Sequence, residues 1–248
     1  HDGVGLLPAR GILSSEEIDA LADHTLAMGG RVSYKNNPDG SKSPYEMNVN
    51  YLDATRRADV EESDELIADR FLASQSIMLA LRGVPGIYYH SLLGSQNWIE
   101  GMLETGQNRT INREKLNVDQ LKKELCEKGS LRQMVFNGFK VMLNIRKNES
   151  AFNPFGQQKI LEFNPYVFSV LRFEENLKEG VLCLTNLSDE PQHVKFSTEN
   201  CLPTKSAGLI DEISGESFLV IENDCELTLR PYQVCWLTLA IGVENSEA

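Results

Sequence analysis

Leu13-Ser14-Ser15-Glu16-Glu17-Ile18 sets an apolar residue on each side of a Ser-x-x-Glu run. That order predicts a helix start in which Ser14 caps, Glu17 closes a capping box, and Leu13 and Ile18 form a hydrophobic staple. Ile18, Leu21, Ala22 and Thr25 recur at helical spacing until Gly29-Gly30 stops the run. From Arg31 to about Asp59 the chain turns polar and rich in turn residues, as in KNNPDGSKSPYEMN. A loop that long in a compact domain is expected to be functional. A second helix is predicted from Ser63 to Leu81, with Ile67, Phe71, Ser74 and Met78 down one face and Gly83 beyond its end. The apolar run GVPGIYYH that follows has the length and the Gly/Pro bounds of a buried strand, placed at Val84–Tyr89. Helix then buried strand is the unit of a parallel α/β sheet. Two more helices are predicted at Val118–Glu127 and Leu131–Lys147, the second capped by Ser130 and carrying Met134, Val135, Met142 and Ile145.

Beyond Ser150 the period shortens. KILEFNPYVFSVLRF, GVLCLTNLS, HVKFS and ELTLRPYQVCWLTL are alternating or β-branched runs separated by Asn, Pro, Gly and Asp. They predict an all-β sandwich of about a hundred residues. The fold class is therefore α/β followed by all-β, divided into residues 1–150 and 151–248, with no internal repeat.

At 248 residues with 41% hydrophobic content the chain can build real cores. Its net charge of -12 opposes contact with phosphate backbones and anionic lipid, so neither nucleic acid nor membrane is an expected partner. No apolar run reaches the length of a membrane span, and the start lacks the order of a signal peptide. The five cysteines, Cys126, Cys183, Cys201, Cys225 and Cys235, form no C-x-x-C pair. Reduced cysteines packed as small hydrophobes in a cytoplasmic protein are expected. The sequons at Asn108, Asn148 and Asn186 matter only in a secretory compartment.

Few residues carry chemistry by pattern alone. NNPDGS resembles part of a calcium loop, but Lys35 stands at the first ligand position and the closing glutamate is absent, so an Asp-Gly turn is the reading. No metal site is expected, no phosphate-binding glycine loop or nucleophile elbow occurs, and the histidines His1, His24, His90 and His193 are scattered. Arg109 and Arg113 in GQNRTINREKL follow a Gly-Gln-Asn loop, a place where α/β folds hold substrates, and a guanidinium suits a carboxylate or phosphate there. From the residues alone, surface solvation or a helix-edge ion pair is the favoured reading of these arginines.

His1-Asp2-Gly3, SPYEMNVNYLDA (Ser43–Ala54), RGVPGIYYHSLLGS (Arg82–Ser95), NRTINREKL (Asn108–Leu116) and LRPYQVCWL (Leu229–Leu237) occur in order along the chain. Together they resemble the C-terminal half of an α-amylase-superfamily enzyme of glycoside hydrolase family 13. The sucrose phosphorylase branch matches best, and KNNPDGSKSPYE is nearest its glucosylglycerate type. The resemblance implies the C-terminal part of a (β/α)8 TIM barrel, cut after strand seven and including strand eight at Val84–Tyr89, followed by an antiparallel β-sandwich.

The same resemblance implies a retaining glucosyl transfer from sucrose or a related α-glucoside to phosphate, giving α-glucose 1-phosphate. Asp2 matches the carboxylate that stabilises the transition state, and His1 a neighbouring contact to ring hydroxyls. Tyr45 and Glu46 match the acceptor side, where Glu46 replaces the glutamine of the sucrose-specific pattern and leaves the acceptor open. Arg109 matches the phosphate-facing arginine. Inorganic phosphate is a co-substrate and no cofactor is implied. The nucleophile and the general acid have no match, so the isolated chain is expected to be inactive. An α-glucosidase or transglucosidase of the same superfamily, or a non-catalytic carbohydrate-binding piece, are the alternatives. The oligomeric state is open.

Overall fold

The computed structural model describes residues 3–174, 180–200 and 208–239. By internal contacts the chain forms two units, one of residues 1–68 with 87–136, the other of residues 69–86 with 137–248. The division expected at Ser150 follows secondary-structure content, whereas contacts assign two helical stretches to the same unit as the strand-rich region.

In the first unit, β1 (Val4–Gly5), β3 (Lys42–Asn48) and β2 (Arg31–Asn36) form a three-stranded antiparallel sheet in the order β1-β3-β2. The polar stretch expected to be a loop is thus mostly a hairpin. Its tip closes through Asn37, whose N–H donates to Ser41 O at 2.8 Å and whose side-chain amide donates to Ser43 Oγ at 2.6 Å. The alternation was hidden because β2 turns polar residues to solvent after Val32. Helix α1 (Ser15–Ala27) packs on this sheet. Ser14 Oγ accepts from Glu17 N–H at 3.2 Å and Glu17 Oε2 accepts from Ser14 N–H at 2.7 Å, the capping box expected. Leu13 and Ile18 share a cluster with Leu6, Met47 and Val49, so the staple also seats the helix on β3.

The hairpin continues into α2 (Tyr51–Ala54), and a half-buried asparagine ties it to a later segment. Asn97 donates its N–H to Asp53 Oδ2 at 2.5 Å, accepts from Asn50 N–H at 2.6 Å and donates Nδ2 to Met28 O at 3.1 Å. Helix α3 spans Asp64–Ala80, within a residue of its expected bounds. Residues 84–88 form no strand, which corrects the expectation for Val84–Tyr89. Val84 is 82% exposed, Pro85 has no N–H to give a ladder, and no strand among the described residues lies alongside. Tyr89–Leu92 instead forms the short helix α4, followed by α5 (Ile99–Thr105), α6 (Val118–Cys126) and α7 (Leu131–Asn148). Ser130 Oγ accepts from Gln133 N–H at 3.2 Å at the start of α7, as expected.

In the second unit, β4 (Gln157–Leu161), β5 (Val167–Phe173), β6 (Gly180–Asn186), β7 (Gln192–Ser197), β8 (Gly208–Asp211), β9 (Ser217–Leu219), β10 (Asp224–Leu229) and β11 (Val234–Leu239) follow. They make a six-stranded antiparallel sheet, β4-β5-β6-β11-β8-β9, and a two-stranded one, β10-β7. Leu182, Leu184, Val194, Phe196, Leu229 and Leu237 draw both sheets into one core. Full burial of each such side chain contributes about 1.5–3 kcal/mol. Every residue of β6 is buried, and Thr185 Oγ1 meets Ser76 Oγ of α3 at 3.0 Å.

The C-terminal turn of α3 leaves carbonyls without helical donors, and two arginines of this unit take them. Arg146 donates to Leu79 O and, at 2.6 Å, to Gly83 O. Arg172 donates to Ala80 O at 3.0 Å, Gln157 O at 3.2 Å and Asn153 O at 2.8 Å. Both guanidinium carbons approach the Phe152 ring, at 5.3 and 5.7 Å from its centroid. Burial, with Arg146 nearby, pushes the Arg172 pKa down to about 10, so the group stays charged at neutral pH.

Candidate functional site

Glu46 is where two of the expected site residues meet, itself and Arg109. Glu46 lies on β3 between two partners, opposite Gly5 of β1 and Ser33 of β2. The β2–β3 register shifts between Ser33 and Tyr34, because Ser33 faces Glu46 while Tyr34 faces Pro44. Tyr45 is the extra residue of this bulge, and Pro44, which has no N–H for a ladder, stands beside it. The bulge separates the fates of two neighbouring side chains: Tyr45 is 40% exposed, whereas Glu46 is only 9% exposed.

The buried Glu46 carboxylate is met by Arg109. The guanidinium donates from Nε at 3.2 Å and from Nη2 at 3.0 Å, both to Oε2. Arg109 sits in the 3₁₀ turn Asn108–Asn112, which Ile111 anchors by its complete burial and by accepting Trp98 N–H at 2.8 Å. Thr105, at the end of α5, donates its hydroxyl to Thr110 Oγ1 at 2.8 Å and tightens the same turn. The pair is asymmetric, with the glutamate side chain 12% exposed and the arginine 51% exposed. The buried carboxylate thus holds the Nε–Nη2 edge of a half-exposed guanidinium.

Gly3, the first described residue, closes the other side of Glu46. It has φ 131°, and a Cβ built there would stand 2.6 Å from Met47 O and 3.2 Å from Glu46 Oε1. Of the residues expected to form the site, Glu46 and Arg109 are in contact, Tyr45 stands exposed next to Glu46 on β3, and His1 and Asp2 lie outside the described residues. Arg113 is exposed beyond the turn.

Two polar residues beside this pair went unnoticed in the sequence. The buried Asn48 donates to Ser33 Oγ at 2.9 Å, and the buried Asn112 gives its main-chain carbonyl to the Tyr88 hydroxyl at 2.8 Å. The side-chain oxygens of both accept no hydrogen bond among the described residues. Their spacing, two residues after Glu46 and three after Arg109, was the available signal. Below them, desolvation pushes the Asp53 carboxyl above its ordinary 3.8, against the Asn97 N–H and Arg56, which pull it down. His90 is fully buried, 2.9 Å from Ser95 Oγ, and desolvation followed by the Arg132 charge lowers its pKa. Among the described residues no helix is long and apolar enough to cross a membrane.

Comparison with known proteins adds descent to this geometry. A glucosylglycerate phosphorylase of Spirochaeta thermophila is 45% identical over 242 residues, which is 96% of this chain and 41% of that protein. The glucosylglycerate phosphorylase of Escherichia coli is 38% identical over 96% of this chain and 40% of its own length. A sucrose phosphorylase of Streptococcus mutans is 23% identical over 81% of this chain and 38% of its own. Among solved structures, sucrose 6F-phosphate phosphorylase from Thermoanaerobacter thermosaccharolyticum shares the fold over 93% of this chain and 39% of that one, with TM-score 0.61 and 18% identity. No protein-family model matches. The chain spans about two fifths of the length of the curated relatives it matches.

Proposed function

The chain is homologous to the glucosylglycerate phosphorylases along nearly its whole length, and from that premise we propose that it is the acceptor-side part of a retaining α-glucoside phosphorylase. The reaction is transfer of a glucosyl group from glucosylglycerate, or a related α-glucoside such as sucrose, to inorganic phosphate. A carboxylate displaces the aglycone to form a glucosyl-enzyme, and a phosphate oxygen then displaces that carboxylate, giving α-glucose 1-phosphate with retention. Residues 1–150 correspond in this reading to the later part of a (β/α)8 catalytic barrel, and residues 151–248 to a terminal β-sandwich.

The observation that carries the reading is the Arg109–Glu46 pair, which offers an oriented cation on the segment expected to face phosphate. Arg109 holds the phosphate dianion and, in the reverse direction, the carboxylate of a glycerate acceptor. Glu46 and Tyr45 line the acceptor side. Asp2 stabilises the positive charge of the oxocarbenium-like transition state, and His1 contacts the ring hydroxyls. The nucleophile and general acid lie in sequence that this chain does not contain, so the chain alone turns over no glucoside.

The test is an assay of the full-length protein that carries this chain. Glucosylglycerate with phosphate is expected to yield glucose 1-phosphate faster than sucrose with phosphate. Hydrolysis at a rate indifferent to phosphate would replace the reading with a glucosidase, and a faster reaction with sucrose would remove glycerate as the acceptor.

A further inference from the structure

The neighbours of Glu46 suggest more than an ion pair. Both donors of one guanidinium edge converge on a single oxygen, Oε2, so the carboxylate holds that edge of the Arg109 head. The opposite carboxylate oxygen, Oε1, is the side-chain atom nearest the absent Cβ of Gly3. Residue 3 therefore has two reasons to be glycine. Its φ of 131° disfavours any L side chain, and the space such a side chain would take lies against Met47 O and the Glu46 carboxylate. Gly5 makes the contrast, because although it faces Glu46 across the ladder its added Cβ would meet nothing nearer than Pro8 Cδ at 3.9 Å.

We infer that Gly3, Glu46 and Arg109 form one positioning unit in which Gly3 leaves room for the Glu46 carboxylate and Glu46 orients Arg109 for an oxyanion. Glu46 is a positioning residue here, not simply a counter-charge. Its effect on phosphate rests on the reading that Arg109 holds the anion, whereas the unit itself rests on geometry alone. The two roles of Glu46 predict opposite signs. As a counter-charge, Glu46 weakens anion binding and its removal tightens it. As a positioning residue, Glu46 strengthens anion binding by holding the donors, and its removal weakens it.

The unit is tested on the full-length protein that carries this chain by the ¹⁵N-edited resonance of the Arg109 Nε–H, assigned by its loss in Arg109→Lys. Hydrogen exchange at this group is expected to quicken at least about tenfold in Glu46→Leu, as for a lost charge-assisted bond, and in Gly3→Ala. Exchange is expected to stay near the original rate in Glu46→Gln, which keeps an acceptor oxygen, and in Gly5→Ala. Unchanged exchange in Glu46→Leu overturns the unit, whether or not Gly3→Ala folds. Unchanged exchange in a folded Gly3→Ala removes Gly3 from it.

Inorganic phosphate is then titrated into the full-length protein. A weaker dissociation constant in Glu46→Leu that Glu46→Gln restores supports positioning, and tighter binding in both variants overturns it. If the unsubstituted protein binds no phosphate, the functional reading falls, and the Nε–H exchange alone decides the positioning unit.

Discussion

Arg109 is the residue on which the functional reading turns. Losing a charge-assisted contact to an anion costs about 1.5–3 kcal/mol, so Arg109→Ala in the full-length protein is expected to weaken phosphate binding by about one to two decades. Phosphorolysis should fall further than transfer to water, and equal loss of both, measured by product analysis, would assign Arg109 another role. Asp53 makes a separate prediction about pH. Desolvation raises its pKa in the folded protein above the ordinary 3.8, so the folded state holds that proton more tightly than the unfolded one. Its contribution to stability is complete below the unfolded value and is lost as pH rises through the folded value. Asp53→Asn should flatten that part of the stability curve from about pH 4 upward, as read by thermal midpoints across pH. A curve with the same slope in both proteins would show that Asn97 and Arg56 balance the burial, and a steeper fall in Asp53→Asn would show that they outweigh it.

At the scale of elements, what was legible in the sequence had local causes. The start of α1 was visible because a capping box and a staple are complete within six residues, Leu13 to Ile18. Ser14→Ala should cost about 1 kcal/mol, seen as a lower denaturation midpoint with an unchanged slope in denaturant. A loss near zero would mean that the packing of Ile18 alone holds the end. The β2–β3 hairpin was less legible, since its turn residues were plain but the pairing that makes it a sheet lies on β1 and β3, remote in sequence. Val84–Tyr89 had the composition of a buried strand without a partner among the described residues, and composition does not reveal the partner. Tyr45 and Glu46 were singled out through resemblance, and Arg109 first through its place after a Gly-Gln-Asn loop. That Arg109 would close on Glu46, 63 positions away, was not written in either local pattern.

For the whole molecule, two units with separate cores mean that reactivity maps burial closely. Cys183 and Cys235 are buried and desolvation pushes their thiols well up, while Cys225 is pushed up to about 11. Cys126 is exposed. Because the thiolate is the reacting form, Cys126 should be alkylated in the native protein at pH 8 about 10²-fold faster than those three, as mapped by peptide mass spectrometry. Comparable labelling of Cys183 would show that β6 opens without global unfolding. The bulge at Tyr45 has a consequence for how such a protein diversifies. Since β3 carries one residue more than β2 at that point, deleting Tyr45 restores a regular ladder and keeps Glu46 opposite Ser33 and Gly5. The hairpin tip from Tyr34 to Pro44 is then an exchangeable cassette. Lineages and laboratory libraries can vary its length and chemistry while the anchored carboxylate inherits its address unchanged.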